Sequence, residues 1–226
     1  MPVKRAYRQI CGVARALDLV GERWSLLVVR ELLLGPKRFT DLRDGLPGAS
    51  PNALTERLTE LTAAGILRRR RLPPPSASWV YELTDWGREL EPIVLALGTW
   101  ALYTPPTAEQ TFVSLDSLML TIRTYYRPST NISVEPLTIG VRIEDRNQEF
   151  GIWLDADGTV RVEHAPPERP DTVITATADD LLHALGKPRE QLSQGAAKIT
   201  IIGNEAGTCD LLSRVVAPRP DEIQEE

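Results

Sequence analysis

The order of apolar and polar positions divides the chain near its middle. Up to about residue 104 apolar residues recur mostly at helical spacing; beyond it come period-two runs, Leu137, Ile139, Val141, Ile143 and then Phe150, Ile152, Leu154. In the first half the spacing predicts helices over 13–20, 24–34, 39–45 and 51–64, the second of them stopped by Gly35-Pro36. Ser50 stands as the N-cap of the fourth helix and Pro51 at its first position, where a missing amide costs nothing; Gly65 is placed to end it. On this helix Leu54, Leu58 and Leu61 share one side, while Asn52, Thr55, Glu56 and Thr59 cover the opposite one. Strand-like runs at 66–72 and 79–83 follow, joined by a proline-rich hairpin loop, Pro73-Pro74-Pro75-Ser76-Ala77-Ser78. A single helix is expected from about Asp85 to Leu102.

In the second half the pattern predicts a helix over 114–126, strands over 137–144, 149–155, 159–164, 172–176 and 198–202, and helices over 178–185 and from Glu205. The fold class is α+β, with a mostly antiparallel sheet in this half. The consecutive prolines of Thr104-Pro105-Pro106-Thr107 mark the expected boundary, giving domains 1–104 and 105–226. Residues 218–226 read as a frayed acidic tail.

Charge separates the halves further. The formal net charge of −5 hides 15 Lys/Arg against 11 Asp/Glu in residues 1–104 and 11 against 20 in residues 105–226. A net-positive module joined to an acidic one suits a nucleic-acid-binding unit attached to a domain with another task. Two cysteines almost two hundred residues apart cannot staple a scaffold, which fits a reducing cytoplasm. No apolar stretch approaches the roughly 20 residues of a membrane span, and no secretory leader is evident, so the expectation is a cytoplasmic protein, on the nucleoid when bound to DNA, with no membrane partner.

Short helix, turn, capped amphipathic helix and basic hairpin, in that order, make a winged helix-turn-helix. Asn52 can present its amide to an adenine edge, and Thr55 and Thr59 can reach bases or thymine methyls. The helix start at Ser50 offers amides to a phosphate. Strand alternation turns at least two of Arg68, Arg69, Arg70 and Arg71 away from the core. Glu56, Ser76 and Ser78 belong to the same candidate surface; Arg57 either contacts phosphate or braces the fold. The apolar stripe of Trp86, Leu90, Ile93, Val94, Leu97, Trp100 and Ala101 is wide for a small winged helix, so either a symmetric partner or the acidic domain should cover it. Cys11 at a helix start, with Arg8 and Arg15 a turn away, is a candidate redox-sensitive thiol or a plain packing residue.

Residues 9–102 resemble the HxlR-type winged-helix transcriptional regulators, relatives of the MarR group. The resemblance rests on Cys11-Gly12-Val13-Ala14-Arg15-Ala16-Leu17-Asp18, Gly21-Glu22-Arg23-Trp24-Ser25-Leu26-Leu27, the run from Arg30 to Phe39, Leu46-Pro47-Gly48-Ala49-Ser50 and the run from Tyr81 to Gly87. It implies a homodimer on double-stranded DNA, with Arg38 and Ser50 near phosphates, the polar face of the fourth helix near bases and the wing arginines on the flanking backbone. The runs 170–182, 185–187 and 195–204 look like the sterol carrier protein fold, which implies an apolar or lipid-like ligand between sheet and helices. Met119, Ile122, Tyr125, Trp153 and Leu182 are the candidate lining residues, although apolar residues at such positions are ordinarily core.

Catalysis finds little support. The two histidines, His164 and His183, have no metal-like spacing, no phosphate loop or nucleophile elbow is present, and Asp155 and Asp157 before Gly158 read as turn residues. The expectation is a dimeric, non-enzymatic DNA-binding regulator without cofactor or metal, responsive to an apolar small molecule. The alternative is an apolar-ligand carrier whose winged helix mediates protein contacts.

Overall fold

The computed structural model describes residues 6–74, 77–128, 135–193 and 198–218. The chain parts into two units, Met1–Ala96 and Leu97–Glu226. The division falls inside a helix, ahead of the Pro105-Pro106 pair where a boundary was expected.

The first unit begins with α1 (Gly12–Val20), α2 (Ser25–Glu31), α3 (Phe39–Gly45) and α4 (Pro51–Ala63), then the hairpin β1 (Leu67–Arg71) and β2 (Trp79–Leu83), then α5 (Asp85–Arg88). The Ser50 hydroxyl caps α4 by accepting from the Ala53 amide at 3.2 Å, and Gly65 follows the helix at φ 75°, a conformation glycine adopts without Cβ strain. Leu54, Leu58 and Leu61 are at most 1% exposed, so the predicted stripe is the buried one.

Helix boundaries differ from expectation around α2, which ends at Glu31 rather than at residue 34, and beyond residue 85. Trp24 does not open α2 but stands before it as a left-handed N-cap at φ 77°. The single helix expected over 85–102 is two, α5 and α6 (Glu91–Ala101). Pro92 is the reason: its ring would collide with the carbonyl of Arg88 and it has no amide to donate, so it is tolerated only in a first turn.

Beneath the helix-turn-helix lies a carboxylate with no solvent exposure. Glu31 accepts from Lys37 Nζ at 2.9 Å and from Arg30 Nη2 at 2.7 Å. Lys37 exchanges backbone hydrogen bonds with Tyr81 at 3.0 and 2.8 Å, laying the segment before α3 along the wing. A Cβ at Gly45, where α3 ends, would collide with the Glu31 carboxylate.

In the second unit, α7 (Leu115–Tyr125) precedes β3 (Leu137–Ile143), a 3-10 turn at Glu144–Arg146, β4 (Gln148–Leu154), β5 (Val160–Glu163), β6 (Thr172–Ala176), α8 (Ala178–Ala184), α9 (Arg189–Ser193), β7 (Thr200–Gly203) and α10 (Glu205–Ser213). The sheet order is β5-β4-β3-β6-β7, antiparallel throughout except for the parallel pair of β3 and β6. The expected α+β class and mostly antiparallel sheet describe it. One face carries Leu137, Ile139, Val141, Ile143, Phe150, Ile152 and Ile174, all buried, and α7 and α10 pack against β5, β3 and β7. On the other face Gly140 pairs with Gly151 across adjacent strands. The Trp153 ring and the Ala165 carbonyl press on Gly151, and Pro166 and Pro170 sit over Gly140. Among the described residues no helix is long and apolar enough to cross a membrane.

Removing one partner of the Glu31–Lys37 pair leaves a buried charge without compensation. Glu31→Ala is expected to cost about 3–5 kcal/mol, read as a lower denaturant midpoint at unchanged slope. A Glu31→Leu/Lys37→Met double variant should recover most of that loss, and equal losses in single and double variants would sink this account of the pair.

Candidate nucleic-acid interface

Asn52, Thr55, Glu56 and Thr59 are exposed on α4, opposite the buried leucines. The hydroxyl of Thr55 donates to the Pro51 carbonyl and that of Thr59 to the Thr55 carbonyl, both at 2.8 Å. Each hydroxyl thus spends its one hydrogen inside the helix. Arg57 is buried: its Nη1 lies 2.6 Å from Glu60 and its Nη2 3.3 Å from Glu56, the former an ion pair without hydrogen-bond geometry. Of the two roles open to Arg57, bracing is the one this geometry matches. Arg38 N-caps α3, exposed, with its amide donating to Asp41 at 3.0 Å.

The hairpin sorts its four arginines into two faces. β1 and β2 pair with Leu67 opposite Leu83 and Arg68 opposite Glu82, which puts Arg68 and Arg70 on the Glu82 side and Arg69 on the other. Arg68 Nε donates to one oxygen of Glu82 at 2.6 Å and Arg70 Nε to the other at 2.7 Å. Burial disfavours charge on Glu82, but the hydrogen bonds from Arg70 and Arg68 outweigh it and hold the carboxyl below its ordinary pKa. Because the folded pKa is depressed, the stabilisation from this cluster is present above the unfolded carboxylate pKa and is lost as pH falls through the folded one. Arg69 has a different neighbour, lying 4.7 Å over the Trp79 ring and 5.8 Å from that of Tyr81. Arg71 donates to the Ala77 carbonyl at 3.0 Å. Ser78 is half-buried, its carbonyl accepting from the Leu72 amide at 2.8 Å; Ser76 lies outside the described residues.

Glu82 and Trp79 were missed from sequence, although the hairpin register carries the signal: residues paired across it sum to the same number, so Glu82 must face Arg68. Arg23 was missed as well. It stacks 4.9 Å over Trp24, whose ring lies against Gly48 just before α4.

The remaining candidates fall elsewhere. α6 buries none of its residues; Ile93, Leu97 and Trp100 are exposed, as is Trp86 before it, while Leu90 and Val94 are half-buried. Cys11 is exposed at the start of α1, and the amides of Ala14 and Val13 lower its pKa, a cause different from the arginines expected to supply it. Met119, Ile122 and Tyr125 are buried on α7, Leu182 is exposed on α8, and Trp153 projects from the sheet face opposite the buried one. The five residues therefore do not converge on one cavity. His164 pairs with the buried Asp116 at 2.8 Å and His183 with the Asp179 carbonyl at 2.7 Å. Among the described residues no cluster of three or more metal-ligating side chains occurs.

A model described as HxlR-like helix-turn-helix matches residues 19–108. The HTH-type transcriptional regulator sll1512 of Synechocystis sp. is 41% identical over 88 residues, which are 39% of this chain and 65% of that protein. The regulator YvaP of Bacillus subtilis is 38% identical over 87 residues, 38% of this chain and 81% of its own. Among solved structures, the oxidized form of the redox regulator HypR aligns at 34% identity and a TM-score of 0.40, over 43% of this chain and 100% of that one. The chain belongs to the HxlR-like helix-turn-helix family of transcriptional regulators.

Proposed function

We propose that the protein is a homodimeric, sequence-specific regulator that sets α4 into the major groove of double-stranded DNA and lays the β1–β2 wing along the flanking backbone. The observation that carries this reading is the exposed polar face of α4, which starts at a side-chain cap and is followed directly by a cationic hairpin. The positive end of the helix dipole and the one open amide of its first turn, that of Asn52, favour a phosphate, and a short polar face fits between base edges. Within that face Asn52 supplies the amide that can bind an adenine edge with two hydrogen bonds. Arg57 serves the fold, and on the wing Arg69 and Arg71 keep charges that no carboxylate among the described residues offsets, while Arg68 and Arg70 share Glu82.

Support for the dimer comes from α1 and α6. Val13 and Leu17 on α1, and separately Ile93, Leu97 and Trp100 along α6, are exposed apolar side chains that a second copy would remove from water. The effector in this reading is an apolar small molecule held by the second unit. Its support is the resemblance of the runs 170–182, 185–187 and 195–204 to an apolar-ligand-binding fold; Leu118, Met119 and Ile122 on α7 are closed core beside the buried sheet face. A ligand regulates only by binding one dimer geometry better than another.

Duplexes selected from a random library by the full-length protein test the reading. Binding should weaken steeply as salt rises, and no selection of any duplex would overturn it. On a selected site Asn52→Ala should reduce preference over variant sites by about 1–3 kcal/mol, measured by competition. Glu82→Gln frees Arg68 and Arg70 from their shared counter-charge, so its salt dependence should be steeper than wild type, by up to about one unit of slope. Leu97→Glu should convert the two-copy species to one copy by light scattering, and weaken site binding roughly a hundredfold or more through lost avidity.

A further inference from the structure

We propose that Arg23 is a backbone-phosphate contact of the duplex site. This assignment rests on α4 being the DNA-reading helix. The arginines of the first unit differ in how their charge is spent. Arg30 faces Glu31, Arg43 faces Asp44, Arg57 faces Glu56 and Glu60, and Arg68 and Arg70 share Glu82. Arg23 is exposed and, among the described residues, has an indole as its partner and no carboxylate. Stacking over a ring restrains a guanidinium without cancelling its charge and leaves its N–H edge open to an anion. The same arrangement recurs at Arg69 over Trp79, on the wing.

Position supplies the second half of the case. A Cβ at Gly48 would stand 2.8 Å from the Trp24 ring, so the indole lies directly against the turn that leads into α4. Two residues further on, Ser50 caps the helix. Arg23 is therefore carried, through Trp24, to the amino end of the helix, where the helix dipole and the Asn52 amide favour a phosphate. Trp24 reaches that place at φ 77°, a strained conformation for a residue with a Cβ. The surrounding fold sustains the strain, and what it achieves is the seating of the ring and its arginine beside the turn. Each of two restrained cations, Arg23 at the helix start and Arg69 on the wing, then holds the duplex on its own side of α4.

The test uses the full-length protein and a duplex it has selected. Affinity is measured between about 50 and 200 mM salt for wild type, Arg23→Gln and Arg23→Lys. Arg23→Gln should lower the slope of log affinity against log salt by about one, the value for one lost phosphate contact, and weaken variant sites equally. Arg23→Lys should restore most of the slope. In a scan of uncharged methylphosphonate linkages, one position should weaken wild type and leave Arg23→Gln unaffected, a coupling that general destabilisation does not produce. A wild-type slope in Arg23→Gln, or no linkage coupled to it, overturns the assignment while leaving α4 as the reading helix. Failure of wild type to bind any duplex overturns both.

Discussion

The helix-turn-helix and its wing are held to one another by the carboxylate of Glu31, which sits at the end of α2 with no exposure to water. A buried charge is costly unless paired, and its partners fix the surroundings as they pair. Lys37 reaches it from the segment before α3 while its own backbone is bridged to Tyr81 on β2. The end of α3 can approach because Gly45 has no side chain to collide with the carboxylate. One acid thus couples α2, the start and end of α3, and the wing. The angle between α4 and the hairpin depends on this junction, since α4 packs on α2 and on β1. A hydrophobic junction of the same volume could be as stable; a paired charge also specifies which side chain meets which.

The same economy governs the surface. Counting arginines suggests a wing with four equivalent positive charges, whereas Glu82, itself only 5% exposed, draws two of them into a shared ion pair. Two cations on one carboxylate leave one net charge on that face. The opposite face places Arg69 over aromatic rings, which orient it without neutralising it. Charge-neutralised arginines stiffen the hairpin, and ring-stacked ones remain available to an anion. The sign of the field around the wing is therefore set by strand register as much as by composition.

Much of this was legible in advance because local rules acted alone. Ser50-Pro51 announces its helix start through cap chemistry, and the alternation from Leu137 to Ile143 and from Gln148 to Leu154 requires only that one face be buried. The failures arose where a single residue or a distant partner decided the outcome. Pro92 splits an apolar stripe whose periodicity runs straight through it, so spacing alone predicts one helix where the ring imposes two. The left-handed Trp24 answers to packing on Gly48, which no spacing reveals. The proposed ligand-lining set mixed residues that the sheet separates. Trp153 follows the parity of Gly151, not that of Ile152, and so turns away from Met119 and Ile122. Strand parity alone would have excluded it.

The threonines of α4 narrow what its exposed face can do. A serine or threonine hydroxyl has one hydrogen, and in Thr55 and Thr59 it is committed to the carbonyl four residues back. What each presents outward is then an acceptor lone pair and a methyl group. Asn52, one turn earlier, is the side chain on that face with N–H donors left to give, and Glu56 can only accept. In the proposed complex a face composed this way favours base edges that offer methyl groups and amino hydrogens, and Asn52 is the place from which it donates to a purine. The chemistry available to α4 is thus set as much by hydrogen bonds closed within the helix as by the residue types that line it.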